Sequence, residues 1–90
     1  MQQGVYAVFD SAAAAYLRPF VADTDLLARR AFEGAVRDPS HPFNIHAADH
    51  FLFKLGEFDQ LTGELHPTTP LRIEAAIETK ARLSAQENNS

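Results

Sequence analysis

The segment from His50 to Phe58 constrains the fold more than any other part of the chain. Phe51, Phe53 and Leu55 alternate with Leu52, Lys54 and Gly56, and a period of two is the mark of a β-strand. Asp59-Gln60-Leu61-Thr62-Gly63 follows, with Gly63 suited to the positive φ that closes a tight turn. A short strand, Glu64-Leu65-His66, then returns beside the first. Within this unit Leu55 and Phe58 are expected on opposite sides of the strand, Gly56 permits close packing, and Asp59 opens the turn.

Upstream, Gly4 to Asp10 reads as another strand. Val5, Ala7 and Phe9 lie on one face, and Tyr6 and Val8 on the other. Both faces are largely apolar, which predicts an inner strand or one covered on both sides. Ser11 to Ala15 is too short to stand as a helix and reads as a compact connection. Tyr16 to Ala22 is a further strand. Pro19 has no N–H to donate, which places that strand at an edge or a bulge.

Asp23 or Thr24 then caps a helix. Leu27, Ala28, Ala31, Phe32, Ala35 and Val36 give it one apolar stripe. Arg29, Arg30, Glu33, Gly34 and Arg37 fall opposite. Asp38-Pro39-Ser40-His41-Pro42 ends the helix, and Asp38 to Asp49 reads as a long loop. Thr69-Pro70 reads as the cap and first position of a last helix from about Leu71 to Leu83. The order is ββαββα. Two hairpins flanking a helix predict an α+β fold, a small antiparallel sheet of about four strands with helix packed on one face. Residues 1–85 form that single domain, and residues 86–90 form a flexible C-terminal tail.

Ninety residues suffice for one domain of modest core; a chain this short buries about 60–65% of its unfolded surface. The absence of cysteine excludes disulfides and thiolate metal sites and fits a reducing cytoplasm. The N-terminus carries no basic residue ahead of an apolar run, so no signal peptide is expected. No stretch approaches the roughly 20 apolar residues of a membrane helix. The net charge is −4, from 8 basic and 12 acidic side chains. Such a surface repels phosphate as a whole, and any contact with nucleic acid must use a local basic patch or exposed rings.

Catalytic patterns are missing. No serine sits in a nucleophile elbow, and the glycines make no phosphate-binding loop. Glu57 and Asp59 flank Phe58 at a strand end, where carboxylates ordinarily meet water. His41, His46 and His50 lie close in sequence but at irregular spacing, and they read as local hydrogen-bonding residues rather than zinc ligands. Neither enzymatic activity nor a cofactor or metal is expected.

Two features point to DNA, each with a plain structural alternative. Tyr16, Arg18 and Phe20 share a strand face, where an arginine between rings can stack on unpaired bases. The same pattern fits two core rings with Arg18 extended to solvent. Arg29, Arg30 and Arg37 give the helix a basic outer face that can track phosphates. It can equally be a solvated face on which Glu33 pairs with Arg37. Lys54 projects opposite Phe51 and Phe53 and would extend a basic sheet surface if that side were open. A ring-bearing strand edge also invites pairing with a second copy, giving a homodimer.

Taken in order, several segments resemble a known family. They are Val5-Tyr6-Ala7-Val8-Phe9-Asp10, Tyr16-Leu17-Arg18-Pro19-Phe20, Thr24-Asp25 and Ala28-Arg29-Arg30-Ala31-Phe32. Asp49-His50-Phe51-Leu52-Phe53-Lys54-Leu55-Gly56-Glu57-Phe58-Asp59, followed by Thr62-Gly63, completes the set. Together they are similar to the small nonstructural DNA-binding protein of gokushovirus-type microviruses, phages with circular single-stranded DNA genomes. The chain departs from that family at His46-Ala47-Ala48-Asp49-His50, where the family carries His-Pro-Glu-Asp and an aromatic residue. The resemblance implies a non-enzymatic accessory role in the bacterial cytoplasm. In that role the protein binds DNA, single-stranded by preference, and assists genome replication or its switch toward packaging. Tyr16, Arg18, Arg29, Arg30 and Lys54 are the residues expected to make the contact. The alternative is an interaction module that binds the replication initiator, the procapsid or a host factor without touching DNA.

Overall fold

The computed structural model describes residues 2–88. It is an α+β domain in the order β1 (Gln2–Asp10), β2 (Ala15–Tyr16), β3 (Phe20–Ala22), α1 (Asp25–Arg37), α2 (Pro42–Ile45), a 3-10 turn (Ala47–Asp49), β4 (His50–Asp59), β5 (Leu65–Ala75) and α3 (Ala76–Asn88). All strand pairs are antiparallel. The order across the sheet is β2-β1-β4-β5, with β3 also paired to β1. β1 and β4 are thus the inner strands, as the two-sided apolar pattern of Val5 to Phe9 requires. No helix of the described residues is long and apolar enough to cross a membrane.

The helices lie on one side of the sheet. Tyr6 and Val8 of β1 and Leu52 of β4 face them and form the core with Ala28, Phe32 and Val36 of α1, Ala47, and Ala76 and Leu83 of α3. Thr24 caps α1 by accepting the Leu27 N–H at 3.1 Å. The fully buried Tyr6 extends along its strand over Gly4, where any side chain would collide with its ring and hydroxyl. Its hydroxyl donates to Asp25 Oδ1 at 2.5 Å, in the first turn of α1. Lys54 Nζ stands 3.5 Å from the same carboxylate and 3.4 Å from Glu57. This cluster fastens the helix start to the two inner strands.

Several boundaries differ from the sequence expectation. The expected strand from Tyr16 to Ala22 is two short pieces, interrupted at Leu17-Arg18-Pro19. Proline at this edge cannot donate to the ladder. The expected loop after α1 contains α2, capped by His41, whose Nδ1 accepts the Phe43 N–H at 3.0 Å. Asn44 of α2 donates to the Val36 carbonyl at the end of α1. The largest difference is at β5, which runs as strand through Thr69 and Pro70 to Ala75, so these residues are not a helix start. An edge strand tolerates proline on its unpaired side, and that allowance makes Pro67 and Pro70 compatible with pairing to β4. Helix α3 therefore begins at Ala76 and continues to Asn88, into the expected tail; Asn89 and Ser90 lie outside the described residues.

A bulge in β4 sets which side chains share a face. Val5 pairs with Gly56 and Tyr6 with Lys54, leaving Leu55 as the extra residue. The alternation is inverted beyond it, so Leu55 and Phe58, expected on opposite sides, both border grooves shared with Val5 and Leu65. At the end of β4, Asp59 Oδ1 accepts the Leu61 and Thr62 N–H groups, and Gly63 completes the turn with φ 77.

Two outcomes follow from these contacts. A Cβ at Gly56 would lie 2.5 Å from the His66 carbonyl oxygen of β5. Gly56→Ala is expected to lower the urea midpoint by an amount equivalent to about 1–3 kcal/mol. An unchanged midpoint would show that the two strands are not held this closely.

The second outcome concerns pH. Burial first, and then the bond to Asp25, raises the Tyr6 hydroxyl well above the ordinary phenol range. The Asp25 carboxyl is lowered, chiefly by that same bond and then by the Lys54 charge, against an opposing effect of burial. A raised phenol contributes stability below its unfolded pKa of about 10 and loses it as pH rises further; a lowered carboxyl contributes above about 4 and loses it as pH falls. Stability measured by urea unfolding should therefore be flat between about pH 5 and 9 and decline on both sides. Tyr6→Phe should flatten the alkaline decline. An alkaline limb identical in the variant would contradict the assignment.

Candidate functional site

The side of the sheet away from the helices carries rings. Along β1 and β4 the residues pointing there are Val5, Ala7 and Phe9, and Phe51 and Phe53, because their neighbours Tyr6, Val8 and Leu52 point into the core. Tyr16 pairs with Phe9 across the edge and joins them. The Phe9 and Tyr16 ring centroids are 4.9 Å apart, those of Tyr16 and Phe53 5.6 Å, and those of Phe9 and Phe53 6.2 Å. These tilted and edge-on contacts hold the three rings as one cluster. Beside it the Arg72 guanidinium lies 5.9 Å from the Phe51 centroid. Arg72 is itself held by Glu78 at 2.7 Å. The Ala75 N–H, and then Arg72, lower the Glu78 carboxyl below its ordinary range.

Tyr16 is 43% exposed. Arg18, two residues further along the same edge, is exposed and makes no ion pair among the described residues. The platform thus offers ring surface and one positioned guanidinium, with the exposed Arg18 following Tyr16 in the break between β2 and β3. At its other end Val5, Pro19, Phe20, Val21, Phe58 and Leu65 line an apolar groove of about 310 Å³.

The residues expected to contact DNA fall in three places. Tyr16 belongs to the ring-bearing face, and Arg18 is exposed in the break that follows it along the sheet edge. Phe20 does not share that face with them: its ring stacks on Tyr6 at 5.7 Å on the helix side. The break at Leu17-Arg18-Pro19 changes the alternation, so period-two counting through it assigns the wrong side. Lys54 lies on the helix side too, only 22% exposed and paired with Asp25 and Glu57. It does not extend an open sheet surface. Arg29 and Arg30 lie on α1, facing α3 rather than the rings, and Arg29 is paired with Glu74 at 3.4 Å.

Sequence reasoning missed Phe9, Phe51 and Arg72 as members of the platform. The alternation of Phe51 and Phe53 with Leu52 and Lys54 was the available signal for the first two, but it does not say which side the helices cover. Arg72 was placed in a helix, where no such contact arises.

The histidines do not converge. His41 caps α2, and His50 is buried with its Nδ1 2.8 Å from the His46 carbonyl oxygen and its Nε2 3.8 Å from Asp10. The His50 ring packs on Phe43 at 4.8 Å. No group of three or more histidine or carboxylate side chains among the described residues is arranged to hold a metal ion.

Comparison with known proteins gives one result that spans the fold. Residues 3–79 match the family model described as Phage ORF5 protein. Neither the curated proteins nor the solved structures contain a significant match. The matched stretch begins in β1 and ends within α3, so it includes all of the sheet but Gln2, with α1 and the ring-bearing face. The chain belongs to the Phage ORF5 protein family.

Proposed function

We propose that this phage protein is a non-enzymatic accessory factor that binds single-stranded DNA on the ring-bearing face of its sheet. In this reading it acts in the bacterial cytoplasm, assisting replication of a microvirus-type genome or its switch toward packaging. The carrying observation is the Phe9–Tyr16–Phe53 cluster, laid on a helix-free sheet face with Arg72 over the neighbouring Phe51 ring; the exposed Arg18 follows Tyr16 in sequence. Every base has a flat face, so ring stacking tolerates any sequence and needs the strand unpaired; it contributes about 1–3 kcal/mol per base. Guanidinium groups at the rim add contacts to phosphate and to base faces. This local arrangement answers the objection raised by the net charge of −4: stacking is a short-range contact that does not depend on the net charge, and at about 0.1 M salt carboxylates more than about 10 Å away are largely screened.

A second reading is supported by the apolar groove at the far end of the same face. Val21 is 51% and Leu65 68% exposed there, and exposed apolar surface of this kind fits a protein partner. In that case the acidic chain would engage the replication initiator, the procapsid or a host factor and leave DNA alone.

Titration of a fluorescein-labelled oligothymidylate followed by anisotropy separates the two. Micromolar affinity at low salt, weakened about tenfold by Tyr16→Ala through loss of one stacked base, is the expected result. Arg18→Gln should weaken binding and reduce its salt dependence. Lys54→Gln should leave the affinity close to that of the parent protein. Absence of binding at micromolar protein in low salt would sink the DNA reading and leave the protein-partner reading.

A further inference from the structure

On the opposite side of the molecule α1 and α3 enclose a second site. Leu26, Arg29, Arg30, Glu33, Gly34 and Arg37 recur on one stripe of α1 at helical spacing, and Arg82 faces them from α3. Between them lies an open cleft of about 500 Å³, a size that suits a small ligand. Four of the chain's 8 basic side chains border it, although the protein as a whole is acidic.

The arginines are held in place by two carboxylates, Glu33 in the cleft lining and the buried Glu74. Glu33 binds Arg37 at 2.7 Å and Arg82 at 3.5 Å. Glu74, 8% exposed, binds Arg82 at 3.1 Å and Arg29 at 3.4 Å. Its position is fixed in turn by the Thr79 hydroxyl, which donates to it at 2.5 Å. Two carboxylates thus orient three guanidiniums, and Arg30 adds a fourth that makes no ion pair among the described residues. The buried Nε groups of Arg29 and Arg82 have no hydrogen-bond partner among the described residues. Charge remains in excess, since four cations meet two anions, and most of the guanidinium N–H donors are unspent. Planar donor forks fixed before the ligand arrives match phosphate oxygens in pairs. Gly34, exposed in the helix interior, leaves the cleft floor bare: no atom stands within 4 Å of where its Cβ would be.

We infer that the α1–α3 cleft is a phosphate-binding site, in which Arg30, Arg29, Arg37 and Arg82 grip a phosphate-bearing group while Glu33 and Glu74 position them. The inference is independent of the ring-bearing face, which lies on the other side of the sheet. The same phosphate chemistry has two sources, the backbone of a nucleic acid or a free phosphorylated small molecule.

Calorimetric titration of the intact protein with inorganic pyrophosphate in low salt tests it. The expected result is one site per chain, weakened about tenfold by Arg30→Gln and unaffected by Arg18→Gln. Arg30 makes no ion pair among the described residues, so its variant should unfold in urea like the parent, which separates lost binding from lost folding. A parallel titration with the oligothymidylate identifies the source. A loss with Arg30→Gln assigns the site to backbone phosphate; an unchanged affinity assigns it to a free phosphate compound. No binding at millimolar pyrophosphate, or equal affinity in Arg30→Gln, would overturn the site. Tyr16→Ala should leave pyrophosphate binding intact, so failure of the stacking face and failure of this cleft are distinguishable.

Discussion

Tyr6 reaches across Gly4 from an inner strand to the Asp25 carboxylate, and this hydrogen bond fastens the first turn of α1 to the sheet. Its phenol ring fills the core beside Phe20, and its hydroxyl ends where the helix needs a negative charge. A carboxylate in a first helical turn interacts favourably with the helix dipole. Lys54 and Glu57 complete the charge balance from the neighbouring strand. With α1 held here, α2 and α3 pack on the same side, through Phe43 and Asn44 for one and Ala76 and Leu83 for the other. All three helices therefore cover one face and leave the other to solvent.

That asymmetry gives meaning to side chains that look alike in sequence. Leu52 and Phe53 are adjacent apolar residues of one strand, yet Leu52 is fully buried under the helices and Phe53 joins Phe9 and Tyr16 outside. The β4 bulge at Leu55 extends the same logic toward the turn, because it brings Phe58 onto the side of Val5 and Leu65. The acidic net charge is likewise uneven. Carboxylates of the Asp25 and Glu57 cluster stand beneath the helix start, while arginines collect in the cleft between α1 and α3.

Most of the α+β architecture was legible in the sequence. The ββαββα order, the inner position of Val5 to Phe9 and the Thr24 cap all follow from local pattern. What local pattern did not carry was the continuation of β5 past His66. Residues from Pro67 to Leu71 are exposed and include Pro67 and Pro70, so neither a buried stripe nor strict alternation marks them as strand. Their structure comes from pairing with β4, a contact between distant residues. Arg72 and Glu74 were misplaced for the same reason, and with them one guanidinium of the platform and one carboxylate of the cleft. Lys54 shows the converse limit. Its side of the strand was identified correctly, but which side the helices cover is decided by Tyr6 and Leu52 together, not by either strand alone.

The two surfaces differ in chemistry, with a ring cluster on one side of the sheet and four arginines between α1 and α3 on the other. The claim on which the functional reading rests is that bases stack on the ring-bearing face. Amide and aromatic chemical-shift mapping by NMR, with unlabelled oligothymidylate added to isotopically labelled protein, tests it most directly. Shifts concentrated at Phe9, Tyr16, Arg18, Phe51 and Phe53 are the predicted result. Shifts confined to α1 and α3, or none at saturating oligonucleotide, would contradict it.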